Sequence, residues 1–200
     1  GQSAEWVGAE NYLRVLGDPA FRRALWNTVL IVVVAVHLEM LLALAMALLF
    51  NSGLRFRRLL FVAVLAPYAV SEVIAVVMWR FLFDLDVGPV TQLLEALHLP
   101  ILEWSYEPSH ALIMIGLLTI WMHLPFSFVI LYAARLAMPA DLYEAARIDG
   151  ATAWQSFRRV TLPLMGPAIL VALLFRYIFA FRIFSEVWLM TGGGPARTTE

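Results

Sequence analysis

Apolar positions in this chain come in long unbroken runs rather than in alternation. Four runs stand out, at 25–50, 59–83, 109–134 and 167–190. At about 1.5 Å per residue, a run of this length reaches roughly 36–39 Å as an α-helix, enough to cross a hydrocarbon core of about 30 Å with some tilt. The pattern predicts four transmembrane helices. Lipid leaves backbone amides no partner outside a helix or a closed barrel, and the period-two alternation of a barrel is absent. Ahead of the first run, DPAFRRAL offers Asp18 as N-cap and Pro19 at the first helical position, so an interfacial lead-in helix is placed at 10–24.

The polar segment 135–166 interrupts this pattern. Pro139 is placed to open a short helix carrying Asp141, Glu144 and Arg147, and Gly150 supplies the left-handed position that ends it. Thr152-Ala153-Trp154-Gln155 has the form of a capping box and starts a second helix, with Trp154 and Phe157 on one face, which Pro163 and Pro167 are expected to stop. The expected product is a compact helical pair lying along the membrane surface. Ala145 and Ala146 leave that surface nearly flat, and Glu144 and Asp149 offer charges to a partner's Arg. The plainer reading of such a segment is a solvated connector.

Composition supports the membrane reading. The 200 residues are 62% hydrophobic and 14% charged, whereas a soluble domain is about half apolar and a quarter charged. All 14 basic residues are Arg, and a formal net charge of −1 gives no reason to expect nucleic acid. The absence of Cys excludes disulfides, thiolate nucleophiles and Cys-ligated metals, and the four His lack metal-ligand spacing. Without Lys there is no phosphate-binding Gly-Lys-Ser/Thr loop. Neither a nucleophile–base pair nor a cofactor motif is visible, so no enzyme, catalytic residue or metal is assigned.

Four crossings put both ends on one side. The loops at 51–58 and 135–166 hold seven Arg, whereas the start, the 84–108 loop and the end hold four. The positive-inside rule therefore places 135–166 in the cytoplasm. The opening at Gly1, with no Met or leader, and the close on ARTTE suggest a stretch of a longer protein.

Several ionisable residues fall inside the runs: His37, Glu39, Glu72, His123, Arg176, Arg182 and Glu186. A charge at mid-bilayer costs about 2.5–3.5 kcal/mol on insertion scales, so each should be paired or face water. Two readings stand side by side. One is a water-accessible pathway for a polyhydroxylated solute; the other is structural pairing, such as Arg182 with Glu186 one turn on. Arg80, near the end of its run, is placed to snorkel to the interface. Pro67 and Pro125 are expected to kink their helices.

The order Glu144-Ala145-Ala146, three residues, Gly150, nine residues, then Val160-Thr161-Leu162-Pro163 resembles the EAA loop of the membrane subunits of ATP-binding-cassette (ABC) importers, with Val160 in place of the more frequent Ile. FRRALWNT, Pro67, Trp79, Gly88-Pro89 and FRIFSEVWLMTGGGP (181–195) are similar to the sugar-importer branch, of maltose/trehalose type. The resemblance covers nearly the whole chain. It implies an all-α transmembrane fold, a type I ABC importer permease-like bundle of which this chain holds spans two to five of six. It also implies that 135–166 is the coupling loop, with Glu144, Ala145, Ala146, Asp149, Gly150, Leu162 and Pro163 engaging an ATPase subunit. The implied partners are a second permease subunit, two ATP-binding-cassette ATPase subunits that bind ATP and magnesium, an extracytoplasmic solute-binding protein and the lipid bilayer of a bacterial plasma membrane.

In maltose-type relatives the sugar contacts lie on the spans flanking that loop. Here those places are Thr119, His123 and Phe126 on one helical face and Phe179 and Ile183 on the next span, with Arg182, Glu186 and Glu72 nearby. Aromatic rings there would stack on the apolar face of a sugar. Where the relatives use Asn, this chain has Ala180 and Ile183, and Arg182 is a charge, so an anionic polyol such as a glycerol phosphate is the alternative solute. An ion-coupled secondary transporter using Glu39, Glu72 and the His residues as proton carriers is the rival from another class.

Overall fold

The computed structural model describes residues 8–192 and 194. Gly193 and Pro195 of the 181–195 motif and Arg197 of the charge count lie outside them. Among the described residues every regular element is helical. The helices are α1 (Glu10–Gly17), α2 (Pro19–Phe50), α3 (Arg57–Leu65), α4 (Glu72–Leu82), α5 (Pro89–Ala96), α6 (Pro108–Leu136), α7 (Asp141–Ile148), α8 (Ala153–Ser156), α9 (Leu162–Ala180) and α10 (Ser185–Thr191).

Helix α2 begins where its cap chemistry dictates. Asp18 Oδ1 accepts the Ala20 N–H at 2.8 Å and Pro19 occupies the first turn. The lead-in helix therefore ends at Gly17 rather than continuing to residue 24, because Asp18 closes one helix and opens the next. Helices α2, α6 and the stretch 153–180 are long and apolar enough to cross a membrane.

Two of the four expected runs, 59–83 and 167–190, are interrupted, the last because its crossing lies earlier, at 153–180. Between α3 and α4 the chain passes through a 3-10 turn at Ala66–Ala69 that contains Pro67, and the two halves differ in direction by 109°. Pro67 has no N–H to give the helix, so the kink expected from sequence is here a full break. The run 167–190 divides as well: α9 ends at Ala180, and α10 begins at Ser185 after a turn at 181–184.

Pro163 and Pro167 do not stop the helix that follows the polar segment. Leu162 N–H bonds to the Phe157 carbonyl, closing one wide π-type turn over Phe157–Thr161. That extra residue lets the Pro163 ring enter the first turn of α9 without the usual clash on the carbonyl four residues back. The chain thus runs from α8 into α9 without a stop.

α2 and α6 run parallel and pack along their length, and α9 returns antiparallel beside both. The core forms two clusters. One joins Val36, Met40 and Ala43 of α2 to Phe128 and Leu131 of α6 and to Met165 and Ala172 of α9, and includes the Phe50, Phe61, Phe128 and Tyr132 rings. The other joins Ile31, Ala75, Val76, Met114, Leu118 and Met190. Asn51 and Ser52 line the same open cleft as Tyr143 and Trp154, so the 51–58 turn and the 137–161 segment share one end of the bundle. At the opposite end Arg80 reaches the Leu189 carbonyl at 3.1 Å and stands over the Trp104 ring, whose Nε1–H donates to the Phe83 carbonyl at 2.7 Å.

Candidate functional site

The polar segment folds as a helical hairpin whose turn is set by Gly150. Its φ of +74° is a left-handed conformation that costs side chains with a Cβ about 1–2 kcal/mol. Gly150 N–H donates to the Arg147 carbonyl at 3.0 Å and Ala151 N–H to that of Ala146 at 2.9 Å, which closes α7. The capping box then opens α8. Gln155 N–H donates to Thr152 Oγ1 at 3.3 Å, and Thr152 N–H to Gln155 Oε1 at 2.8 Å.

Tyr143 pins this hairpin to the bundle. Its hydroxyl lies 3.0 Å from Thr161 Oγ1 and 3.1 Å from Met138 Sδ, and the Arg135 guanidinium covers its ring at 4.4 Å. What the hairpin presents outward is unusual for solvent. Ile148 is 86% exposed and Trp154 67% exposed. Glu144, Ala145, Asp149, Leu162 and Pro163 are exposed beside them, and Ala146 is half-buried. Glu144 and Arg147 stand 3.9 Å apart, a loose surface pair that leaves the carboxylate open to a partner.

The second group of residues lies between the helices. Phe126 on α6 meets Phe175 and Phe179 on α9 edge-to-face, with centroids 6.3 and 6.0 Å apart. His123 Nε2 lies 3.6 Å from Glu186 Oε1, and the Glu72 carboxyl stands near Ser185 and Glu186. Thr119 is buried, and Ile183 packs against both core clusters. Thus α4, α6 and α10 bring Glu72, His123 and Glu186 together.

The expected pair of Arg182 with Glu186 does not form. An i, i+4 contact needs a continuous helix, and the turn at 181–184 intervenes. Arg182 is exposed on that turn while Glu186 turns inward to His123.

Sequence reading named Glu39 and Arg176 as buried charges without joining them. They form a fully buried ion pair. Arg176 Nε donates to both Glu39 oxygens at 2.9 and 2.8 Å, and Nη2 makes a 2.7 Å ion contact off the hydrogen-bond direction. Ser127 Oγ, which the sequence did not single out, donates to Glu39 Oε1 at 2.5 Å. One carboxylate thereby ties α2, α6 and α9. His37 similarly meets the Tyr177 hydroxyl at 3.2 Å.

Comparison with known proteins agrees with this architecture. The family described as binding-protein-dependent transport system inner membrane component matches residues 39–199. The trehalose/maltose transport system permease protein MalF of Thermococcus litoralis is 38% identical over 97% of this chain and 66% of its own length. The sulfoquinovosyl glycerol transport system permease protein SmoG of Agrobacterium fabrum is 36% identical over the whole of this chain and 65% of its own. The chain therefore spans just under two thirds of these relatives. A crystal structure of a bacterial ABC transporter involved in the import of the acidic polysaccharide alginate superposes with a TM-score of 0.83 over 97% of this chain and 68% of that one, at 24% identity, a likeness of fold. With the family match extending over most of its length, this chain belongs to the inner membrane components of binding-protein-dependent transport systems.

Proposed function

We propose that the chain is a translocation-pathway subunit of an ATP-driven ABC importer for a saccharide or related polyol. Its outward hairpin, built on Gly150, is the observation that carries this reading. A solvated connector would cover apolar side chains, whereas here Ile148 and Trp154 flank the Glu144-Ala145-Ala146 surface in the open. Such a surface suits the cleft of a partner ATPase, in which the hairpin acts as a coupling lever on the cytoplasmic side.

In this reading ATP and magnesium bind in two separate ATPase subunits, a second permease subunit completes the pathway, and an extracytoplasmic solute-binding protein delivers the solute. Phe126, Phe179 and Ile183 form the apolar part of the solute path and Thr119, His123, Glu72 and Glu186 its polar part, while Arg182 lies outside this group on the exposed turn at 181–184. The names of the two curated relatives, for trehalose/maltose and for sulfoquinovosyl glycerol, support a sugar-like solute.

An ion-coupled transporter is less well supported, because Glu39, one of its proton carriers, is held by Arg176 in a fully buried ion pair. Uptake into proteoliposomes decides between the two. The importer needs ATP and continues in the presence of a protonophore; uptake that collapses with the proton gradient and ignores ATP contradicts the proposal.

A further inference from the structure

One crossing of this bundle is broken near Pro67, another ends at the turn 181–184, and the helices that follow the two turns meet. The 3-10 turn at Ala66–Ala69 is followed by Glu72 in the first turn of α4, and the turn at 181–184 is followed by Ser185 and Glu186 in the first turn of α10. α4 packs on α10, and α10 on α6. Polar side chains at interrupted spans mark solute sites in transporters, because only there can irregular backbone face a cavity instead of lipid.

The groups gathered here are specific. Glu72 stands near Ser185 and Glu186 where α4 packs on α10, and Glu186 stands 3.6 Å from His123 Nε2. Thr119 occupies the same face of α6 one turn before His123, and its Oγ1 is buried with no hydrogen-bond partner. A buried hydroxyl without a partner costs about 1–3 kcal/mol unless something else supplies the bond. Glu72 is only partly covered, and a carboxylate does not face hydrocarbon, so its open side faces water or a pathway. The cations nearest in sequence are committed elsewhere or turned away: Arg80 is engaged at the Leu189 carbonyl, and Arg182 is exposed on its turn, with no ion pair to either acid.

Two carboxylates against one imidazole make the cluster acidic. A carboxylate accepts two adjacent hydroxyls well and repels a carboxylate, sulfonate or phosphate at the same place. Building on the saccharide-import reading, we infer that Glu72 and Glu186, with His123 and Thr119, bind neighbouring hydroxyls of a neutral polyhydroxylated solute and exclude anionic ones. Family membership does not settle this point, since the solved neighbour imports an acidic polysaccharide.

The test uses the assembled importer with its ATPases and binding protein in proteoliposomes, and four radiolabelled probes: trehalose, maltose, digalacturonate and trehalose 6-phosphate. The wild type takes up a neutral sugar at least tenfold faster than either anion. Glu72→Gln and Glu186→Gln each raise KM for that sugar about tenfold, the loss expected for a charge-assisted hydrogen bond. Glu72→Asp stays within about threefold, since it keeps the charge. Should Glu72→Gln fail to copurify with the ATPases, Glu186→Gln carries the same comparison. Unchanged KM in the Gln variants, or anion uptake as fast as neutral uptake in the wild type, overturns the inference alone. Failure of the wild type to take up any of the four with ATP overturns the saccharide reading beneath it.

Discussion

Arg176 of α9 and Glu39 of α2, 137 residues apart in sequence, form an ion pair in which Arg176 Nε–H is shared between the two Glu39 oxygens at 2.9 and 2.8 Å, with neither side chain reaching the surface. An ion pair at this depth is held by its geometry, because each partner alone would be an uncompensated charge in a low-dielectric interior.

Removing one partner is therefore expected to do more harm than removing both. Arg176→Ala or Glu39→Ala should each destabilise the bundle by about 3–5 kcal/mol. The double replacement Arg176→Met with Glu39→Leu should cost less than either single change, since it leaves no orphan charge and fills the space. Thermal unfolding of the detergent-solubilised protein measures this. A double variant no more stable than the worse single one contradicts the pairing.

At the hairpin turn, Gly150→Val forces a β-branched residue to φ +74°. We expect uptake to fall about tenfold or more, as the strain of roughly 1–2 kcal/mol shifts the α7–α8 elbow, while the amount of protein in the membrane holds. Gly150→Asn, which tolerates the left-handed region, should retain most of the activity. Glu144→Lys should uncouple in the same way by reversing the charge offered to a partner. The ratio of solute imported to ATP hydrolysed is the measurement.

At the other end of the bundle, Gly88 carries a packing constraint. A Cβ there would press on the Asp84 carbonyl oxygen and approach the Asp84 nitrogen at 2.6 Å and the Leu82 carbonyl at 2.7 Å. The Asp84 side chain already caps this turn through the Asp86 and Val87 N–H groups. Gly88→Ala should cost about 1–3 kcal/mol and open the 84–108 segment to proteolysis. Limited proteolysis of membranes checks it, and an unchanged digestion pattern contradicts it.

These expectations draw unequally on sequence. The hairpin was legible because its signals are local: Gly150 ends α7 and Thr152 with Gln155 caps α8, each within a few residues. Apolar runs located the spans but not their interruptions. The break near Pro67 was read as a kink, and that at 181–184 has no Gly or Pro to announce it. Pro163 misled in the opposite direction, since a stop signal was absorbed by one wide turn. The Glu39–Arg176–Ser127 knot and the Glu72–His123–Glu186 cluster depend on which faces meet across the bundle, and hydropathy carries no such information.

The central claim is that the α7–α8 hairpin docks on an ATPase. Because the chain has no Cys, a single Ala145→Cys variant gives one defined attachment point at the exposed face. A short bifunctional crosslinker applied to membranes holding the assembled importer should join this residue to the ATPase subunit, and the same reagent on Leu97→Cys, an exposed site at the opposite end, should not. No ATPase adduct from position 145, or one from position 97 instead, would contradict the account.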